Sequence, residues 1–254
     1  MTGPAIPRII HQTFKSRELP PRMQEAADSW KRLNPGHDYR FHDDAAQEAL
    51  IRDDFGAEAL RAYSRIEGGA FRADFWRYCV LWKTGGVYAD IDTTARMPLD
   101  ELIGDEDRFI APNAGEVDWA LFNAFICAEP GHPFLRRAID RSIRVILEGG
   151  SFDGYMATGP GNLGAAVNLC LGRKENAPHS VGAQDLSGFR FRILEKRLAQ
   201  GTEPRRVVDG DRTVFDAKYE GYLDDLKKAG VEHWQPGRSS FLRRAAQKLR
   251  RRFG

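Results

Sequence analysis

One run limits what this chain can become more than any other: Phe71 to Thr94, FRADFWRYCVLWKTGGVYADIDTT. In its first half Phe71, Phe75, Tyr78, Cys79 and Trp82 recur at helical spacing and predict a helix with one apolar stripe. Asp74 and Arg77 stand three apart, so they are neighbours on that helix. Gly85-Gly86 ends it, because a left-handed cap favours a residue without Cβ. Val87-Tyr88-Ala89 is a short β-prone run, and Asp90-Ile91-Asp92 follows at once. If strand geometry persists through Asp92, side chains alternate, so both carboxylates share one face and Ile91 faces the core. Two carboxylates on one face make a hard oxygen site suited to Mg²⁺ or Mn²⁺, which could neutralise a departing diphosphate. A bare D-x-D is as readily a solvated turn; the whole run is what favours a site.

The segment from Arg72 to Asp92, R-x-D-x-x-R-x-x-x-L-x-x-x-G-G-V-Y-x-D-x-D, resembles the signature of retaining sugar-transferring enzymes with a DXD motif. That group includes the yeast initiating mannosyltransferases and the inositol-phosphoceramide mannosyltransferases. The glucosylating domains of large clostridial toxins share its core. The resemblance implies an α/β fold of GT-A type: a nucleotide-sugar-binding, mixed, mostly parallel sheet flanked by helices. It also implies a nucleoside-diphosphate sugar donor and a glycan or glycolipid acceptor of the bacterial surface polysaccharide or lipopolysaccharide type. Asp90 and Asp92 are then the metal ligands, with Asp92 the more direct. Asp74 and Arg77 match positions that hold donor-sugar hydroxyls in the toxin-like relatives, where a carboxylate accepts and a guanidinium fork donates. Tyr88, within the same motif, joins Asp90 on the donor side.

Other parts of the chain extend the resemblance. IPRIIHQTFK near the start predicts a first strand over 8–10, and ligands of such sheets bind beyond the carboxyl ends of strands. His11, Gln12, Thr13 and Phe14 are therefore expected near a nucleotide; the family's usual Trp is Phe14 here. ALFNAFICA, 120–128, predicts a strand with Asn123 inside it, and the resemblance makes Asn123 a donor-sugar contact. Thr158-Gly159-Pro160, before a predicted helix over 163–171, matches a family "TGP" near the donor, and helix starts can bind anions. His233 takes the place of a late family segment that closes on the diphosphate and completes the metal shell; a surface histidine beside a core Trp234 is the plainer alternative.

Elsewhere the expectations are ordinary. Helices are expected over 24–33, 45–51, 55–66 and 134–147, with Asp43 and Asp44 capping the second and Gly68-Gly69 forming a loop. Strands are expected over 39–41, 108–111 and 189–194, and a hairpin turns at Asp209-Gly210. His132 is a turn residue. Three cysteines, Cys79, Cys127 and Cys170, with no C-x-x-C argue against a disulfide framework and for a reducing compartment. No signal or membrane-spanning run is expected, which points to a cytoplasmic enzyme. The net charge of +2 divides into a tail of +7 after Gly237 and a body of −5. That leaves no basic folded body for nucleic acid. Residues 1–237 are expected as one domain. The tail 238–254 is expected as a basic amphipathic helix peripheral to the inner membrane face.

Two rivals remain at this level. Asp90-Ile91-Asp92-Thr93-Thr94 also fits the D-x-D-x-T of haloacid-dehalogenase-like phosphatases, with Asp90 a phosphorylated nucleophile and Gly210-Asp211 with Asp216 a late acidic motif. A non-catalytic sugar-nucleotide or membrane-binding module is the other.

Overall fold

The computed structural model describes residues 5–149, 153–198 and 205–230. The first half runs β1 (Ile9–Thr13), α1 (Pro21–Leu33), β2 (Asp38–His42), α2 (Asp44–Arg65), α3 (Gly69–Thr84), β3 (Gly86–Ala89), β4 (Thr94–Ala95), α4 (Leu99–Leu102), β5 (Phe109–Pro112) and β6 (Phe125–Ala128). The second half runs α5 (Pro133–Glu148), α6 (Gly154–Ala157), α7 (Pro160–Cys170), β7 (Gly182–Leu186), β8 (Phe189–Arg197), β9 (Arg206–Asp209), β10 (Arg212–Asp216) and α8 (Tyr222–Lys228).

The strands form one ladder in the order β2-β1-β3-β6-β5-β8-β9-β10-β4, with β7 beside β8. The mixed sheet with flanking helices is as expected, but its parallel part is smaller. Only β1·β2, β1·β3 and β5·β8 are parallel among the described strands. Tight turns account for much of the rest, since β7–β8 and β9–β10 are hairpins and a hairpin can only pair antiparallel strands. The hairpin at Asp209-Gly210 stands where the turn residues put it.

The central strands are buried on both faces. Val87, Ala89, Ile110, Phe125 and Cys127 point into one core with Trp30 and Phe215. Their alternating neighbours Tyr88, Phe109, Ile126 and Ala128 point into the other, against α2, α3, α5 and α7. This explains a departure in α3: Phe75 through Leu81 are all buried, so the helix is enclosed rather than striped. Gly69 is its first residue, not part of a loop, and α2 runs on across a kink at Gly56, whose φ is 79°. Asp43 caps α2 by accepting from Ala46 N at 2.9 Å.

The Gly85-Gly86 pair has a steric cause. Its φ values are 64° and 99°, and a Cβ on Gly86 would stand 2.7 Å from the Ile9 carbonyl oxygen. The pair turns α3 straight into β3 and packs that strand against β1.

Candidate active site

The run from α3 to Asp92 meets the turn before β6 and the corner before α7 in a cleft of about 430 Å³. Asp74, Arg77, Tyr88, Asp90, Asp92 and Asn123 all line it. The expected D-x-D geometry is corrected in one respect. β3 stops at Ala89, and Asp90 to Thr93 form a turn closed by Thr93 N donating to the Asp90 carbonyl at 3.1 Å. The two carboxylates thus converge through a turn, not through strand alternation. Ile91 packs inward against Met23, Ala27 and Leu226, as expected.

Arg77 is the centre of the arrangement. Its guanidinium lies 2.9 Å from Asp74 Oδ1 and 3.0 Å from Asp90 Oδ1, and its side chain is 3% exposed. It also donates to the Asn123 carbonyl at 2.5 Å and rests 4.3 Å above the Tyr88 ring. The Tyr88 hydroxyl donates to Asp90 Oδ1 at 2.8 Å. Asn123 lies before β6, not inside a strand, and its amide donates to Asp74 Oδ1 and to the Tyr78 hydroxyl, each at 3.0 Å. Tyr78 in turn donates to the Thr158 carbonyl at 2.6 Å. Helix, strand end and corner are thereby tied into one network.

Three carboxylates, Asp74, Asp90 and Asp92, share the guanidinium and the Lys218 ammonium, which is 3.7 Å from Asp92 Oδ2. Burial, with the charge of Asp90, raises Asp74 to about 7, while Arg77 and the hydrogen bond from Asn123 oppose the rise. Burial, then the charge of Asp90, raises Asp92 to about 7, while Lys218 and a hydrogen bond from Tyr222 oppose the rise. The excess of negative charge on hard oxygens fits a divalent cation. Among the described residues no group of three or more His, Cys, Asp or Glu side chains could hold one. The protein offers two carboxylates, the pattern of a Mg²⁺ or Mn²⁺ whose remaining ligands are substrate phosphates and water.

Several expected residues have other positions. His11 does not line the cleft: its ring is buried between His42 Nε2 at 3.2 Å, the Thr84 hydroxyl at 3.1 Å and the Gly85 carbonyl at 3.3 Å. Burial and His42 lower it to about 3, so it is neutral. Gln12 is likewise buried and not at the cleft. It donates to the Ala89 and Asp90 carbonyls at 3.4 and 3.2 Å and accepts from Tyr39, which pins the backbone beneath the D-x-D turn. The strand runs on to Thr13 instead of ending at residue 10, so of the expected residues Thr13 and Phe14 reach the cleft, joined by Lys15. Gly159 and Pro160 line the cleft, whereas Thr158 is wholly buried and contributes its carbonyl. His132 caps α5 by accepting from Phe134 N. His233 and the basic tail lie outside the described residues.

Sequence reasoning missed Gln47, Lys196, Arg205, Lys218 and Tyr222, all at the cleft. One lysine in β8, another just after β10 and a tyrosine opening a short helix carry no motif; only the sheet order brings them to the cleft.

Residues 20–110 match the family described as a glycosyltransferase sugar-binding region containing a DXD motif. Over 162 residues the chain is 33% identical to HOC1, a Saccharomyces cerevisiae protein named as a glycosyltransferase, covering 56% of this chain and 40% of that protein. Over 137 residues it is 32% identical to inositol phosphoceramide mannosyltransferase 3 of Schizosaccharomyces pombe, covering 53% and 36%. The chain therefore spans about two fifths of the length of these curated relatives. Among solved structures, the PaToxG glycosyltransferase superposes with a TM-score of 0.52 at 14% identity, over 65% of this chain and 68% of that one. The resemblance carried by Arg72 to Asp92 is borne out, as is the GT-A type fold.

Proposed function

We propose that this chain, whose residues 20–110 match the DXD glycosyltransferase region, moves a sugar from a nucleoside-diphosphate sugar to a hydroxyl of a glycan or glycolipid acceptor. The observation that carries the reading is Arg77 clamped between Asp74 and Asp90 at the cleft that also holds Asp92. Asp90 and Asp92 would hold Mn²⁺ or Mg²⁺, and the chemistry the ion supplies there is charge neutralisation on the leaving diphosphate. Arg77, fixed by Asp74, Asp90, the Asn123 and Ala73 carbonyls and the Tyr88 ring, presents its fork without losing freedom at the moment of binding. Asp74 accepts from sugar hydroxyls, and Asn123 fixes its orientation. Tyr88 orients Asp90 through its hydroxyl. Phe14 and Lys15, with Gln47, form the end of the cleft suited to the nucleoside. Retention of anomeric configuration, the surface-polysaccharide class of acceptor and peripheral membrane contact through the tail are carried over from the resemblance and the sequence.

The phosphatase reading gains no support. Asp216 is held by Arg96 at 2.6 Å and Arg206 at 3.2 Å and does not line the cleft, while Asp211 is fully exposed at a hairpin turn.

The test is turnover. Purified protein is incubated with Mn²⁺ and a panel of nucleotide sugars, and nucleoside diphosphate release is followed. Metal-dependent release from one donor, abolished in Arg77→Lys, is expected. Hydrolysis of simple phosphate esters, lost in Asp90→Asn, would overturn sugar transfer; donor binding without any release would leave a binding module.

A further inference from the structure

The cleft has a second charged region that the donor chemistry does not use. Lys196, on β8, and Arg205, just before β9, line the same cleft as Asp74 and Arg77. The Lys196 ammonium stands 3.7 Å from the centroid of the Phe122 ring. Among the described residues neither Lys196 nor Arg205 makes an ion pair within 4.0 Å. The charges that act on Lys196 are Arg205 and Lys218, both cations, and one acid, Glu116. Burial and these cations lower it to about 8. Lys218 lies 3.7 Å from Asp92 and also acts on Lys196, whereas no carboxylate of the Asp74–Asp90–Asp92 group is among the charges acting on Lys196.

A cation kept in a partly enclosed wall beside other cations is unfavourable unless something anionic arrives. An aromatic face offsets only part of that cost. Lysine and arginine together suit a phosphate or carboxylate oxygen group, by charge and by charge-assisted hydrogen bonds. Leu198 and Val117, beside them in the cleft, add apolar surface.

We propose that Lys196 and Arg205 form a subsite for the anionic group, phosphate or carboxylate, of the acceptor, so that this chain glycosylates a negatively charged acceptor. The inference rests on the sugar-transfer reading for its assignment to an acceptor; the anion site itself does not. The donor diphosphate, whose place is at Asp90 and Asp92, is the competing source of the same chemistry.

Calorimetry on the whole chain separates the two. The probes are glucose 6-phosphate, methyl glucoside as its uncharged counterpart, and uridine and guanosine diphosphates, each with and without Mn²⁺. Wild type is expected to bind glucose 6-phosphate at least tenfold more tightly than methyl glucoside, with or without the metal. Lys196→Met, which keeps the apolar stem on Phe122, and Arg205→Gln are each expected to weaken the sugar phosphate at least tenfold. Both should leave Mn²⁺-dependent nucleotide binding within twofold, with melting temperature reporting the fold. Equal binding of the charged and uncharged sugars would overturn the subsite, as would variants that bind the sugar phosphate like wild type. Weakened nucleotide binding in the variants would reassign the cations to the donor and overturn the acceptor claim. Failure of wild type to bind either nucleotide would count against sugar transfer, while the sugar-phosphate comparison still decides the anion site.

Discussion

The two walls of the cleft are built on opposite electrostatic principles. On the α3–β3–β6 wall every charge has a near partner: Arg77 has Asp74 and Asp90, Asp74 has Asn123, and Asp90 has Tyr88. On the β8–β9 wall Lys196 and Arg205 line the cleft with no ion pair within 4.0 Å among the described residues, Glu116 being the one acid acting on Lys196. A wall whose charges satisfy one another is rigid and costly to alter, because removing one member leaves others buried alone. A wall whose charges await a ligand gives up stability until the ligand binds. The first suits chemistry common to many donors and acceptors; the second suits selection among acceptors.

Acid should act through the buried histidines, against the raised carboxylates Asp74 and Asp92, which favour the fold as the pH falls from 7 toward 4. His11 and His42, behind β3, are lowered by burial to about 3 and about 4, and buried His132 and His179 to about 4 each. Each folded-state value lies below the ordinary 6.5, so the unfolded chain binds more protons in between. The histidine contribution is full above pH 6.5 and is lost as the pH drops toward 3 to 4, and four histidines outnumber the two raised carboxylates. Chemical denaturation at intervals of pH is expected to show cooperative loss of the fold across that window. A flat profile would mean the histidines are solvated.

Arg77→Leu comes next in size. It strands Asp74 and Asp90 and is expected to cost about 3–5 kcal/mol, the usual penalty for breaking a buried pair, together with all turnover. Urea titration and donor release measure the two losses.

Lys196→Met should show the opposite sign. Lys196 is lowered from its ordinary value to about 8, so the charged form is disfavoured in the fold, and removing the charge should help at neutral pH. A rise in Tm of about 2–4 °C is expected, the shift that about 1 kcal/mol gives in a domain of this size. A fall equal in kind to that of Arg77→Leu would erase the distinction between the walls.

The paired wall is also the one that could be read from the sequence. Asp74, Arg77, the glycine pair and the two aspartates lie within nineteen positions of one another, and the helix period and the turn chemistry set their relation locally. What could not be read were effects of register and sheet order. The D-x-D aspartates meet through a turn, because the Thr93 amide and hydroxyl both fold back to donate to the Asp90 carbonyl, at 3.1 and 2.6 Å. His11 and Gln12 sit two and one residues before the β1 terminus, so their side chains serve β2, α3 and the turn instead of the cleft. Lys196 and Lys218 reach Asp92's neighbourhood only because β8, β9 and β10 join the sheet in that order. No local pattern around them encodes that.

The central claim is that Asp90 and Asp92 grip a divalent ion against a nucleoside diphosphate. Isothermal titration of uridine and guanosine diphosphates into wild type and Asp92→Asn, with Mn²⁺ and with chelator, tests it most directly. One nucleotide is expected to bind wild type only with Mn²⁺ and at least a hundredfold more weakly to a folded Asp92→Asn protein. Equal affinity with chelator, or an undiminished affinity in the variant, would contradict the account.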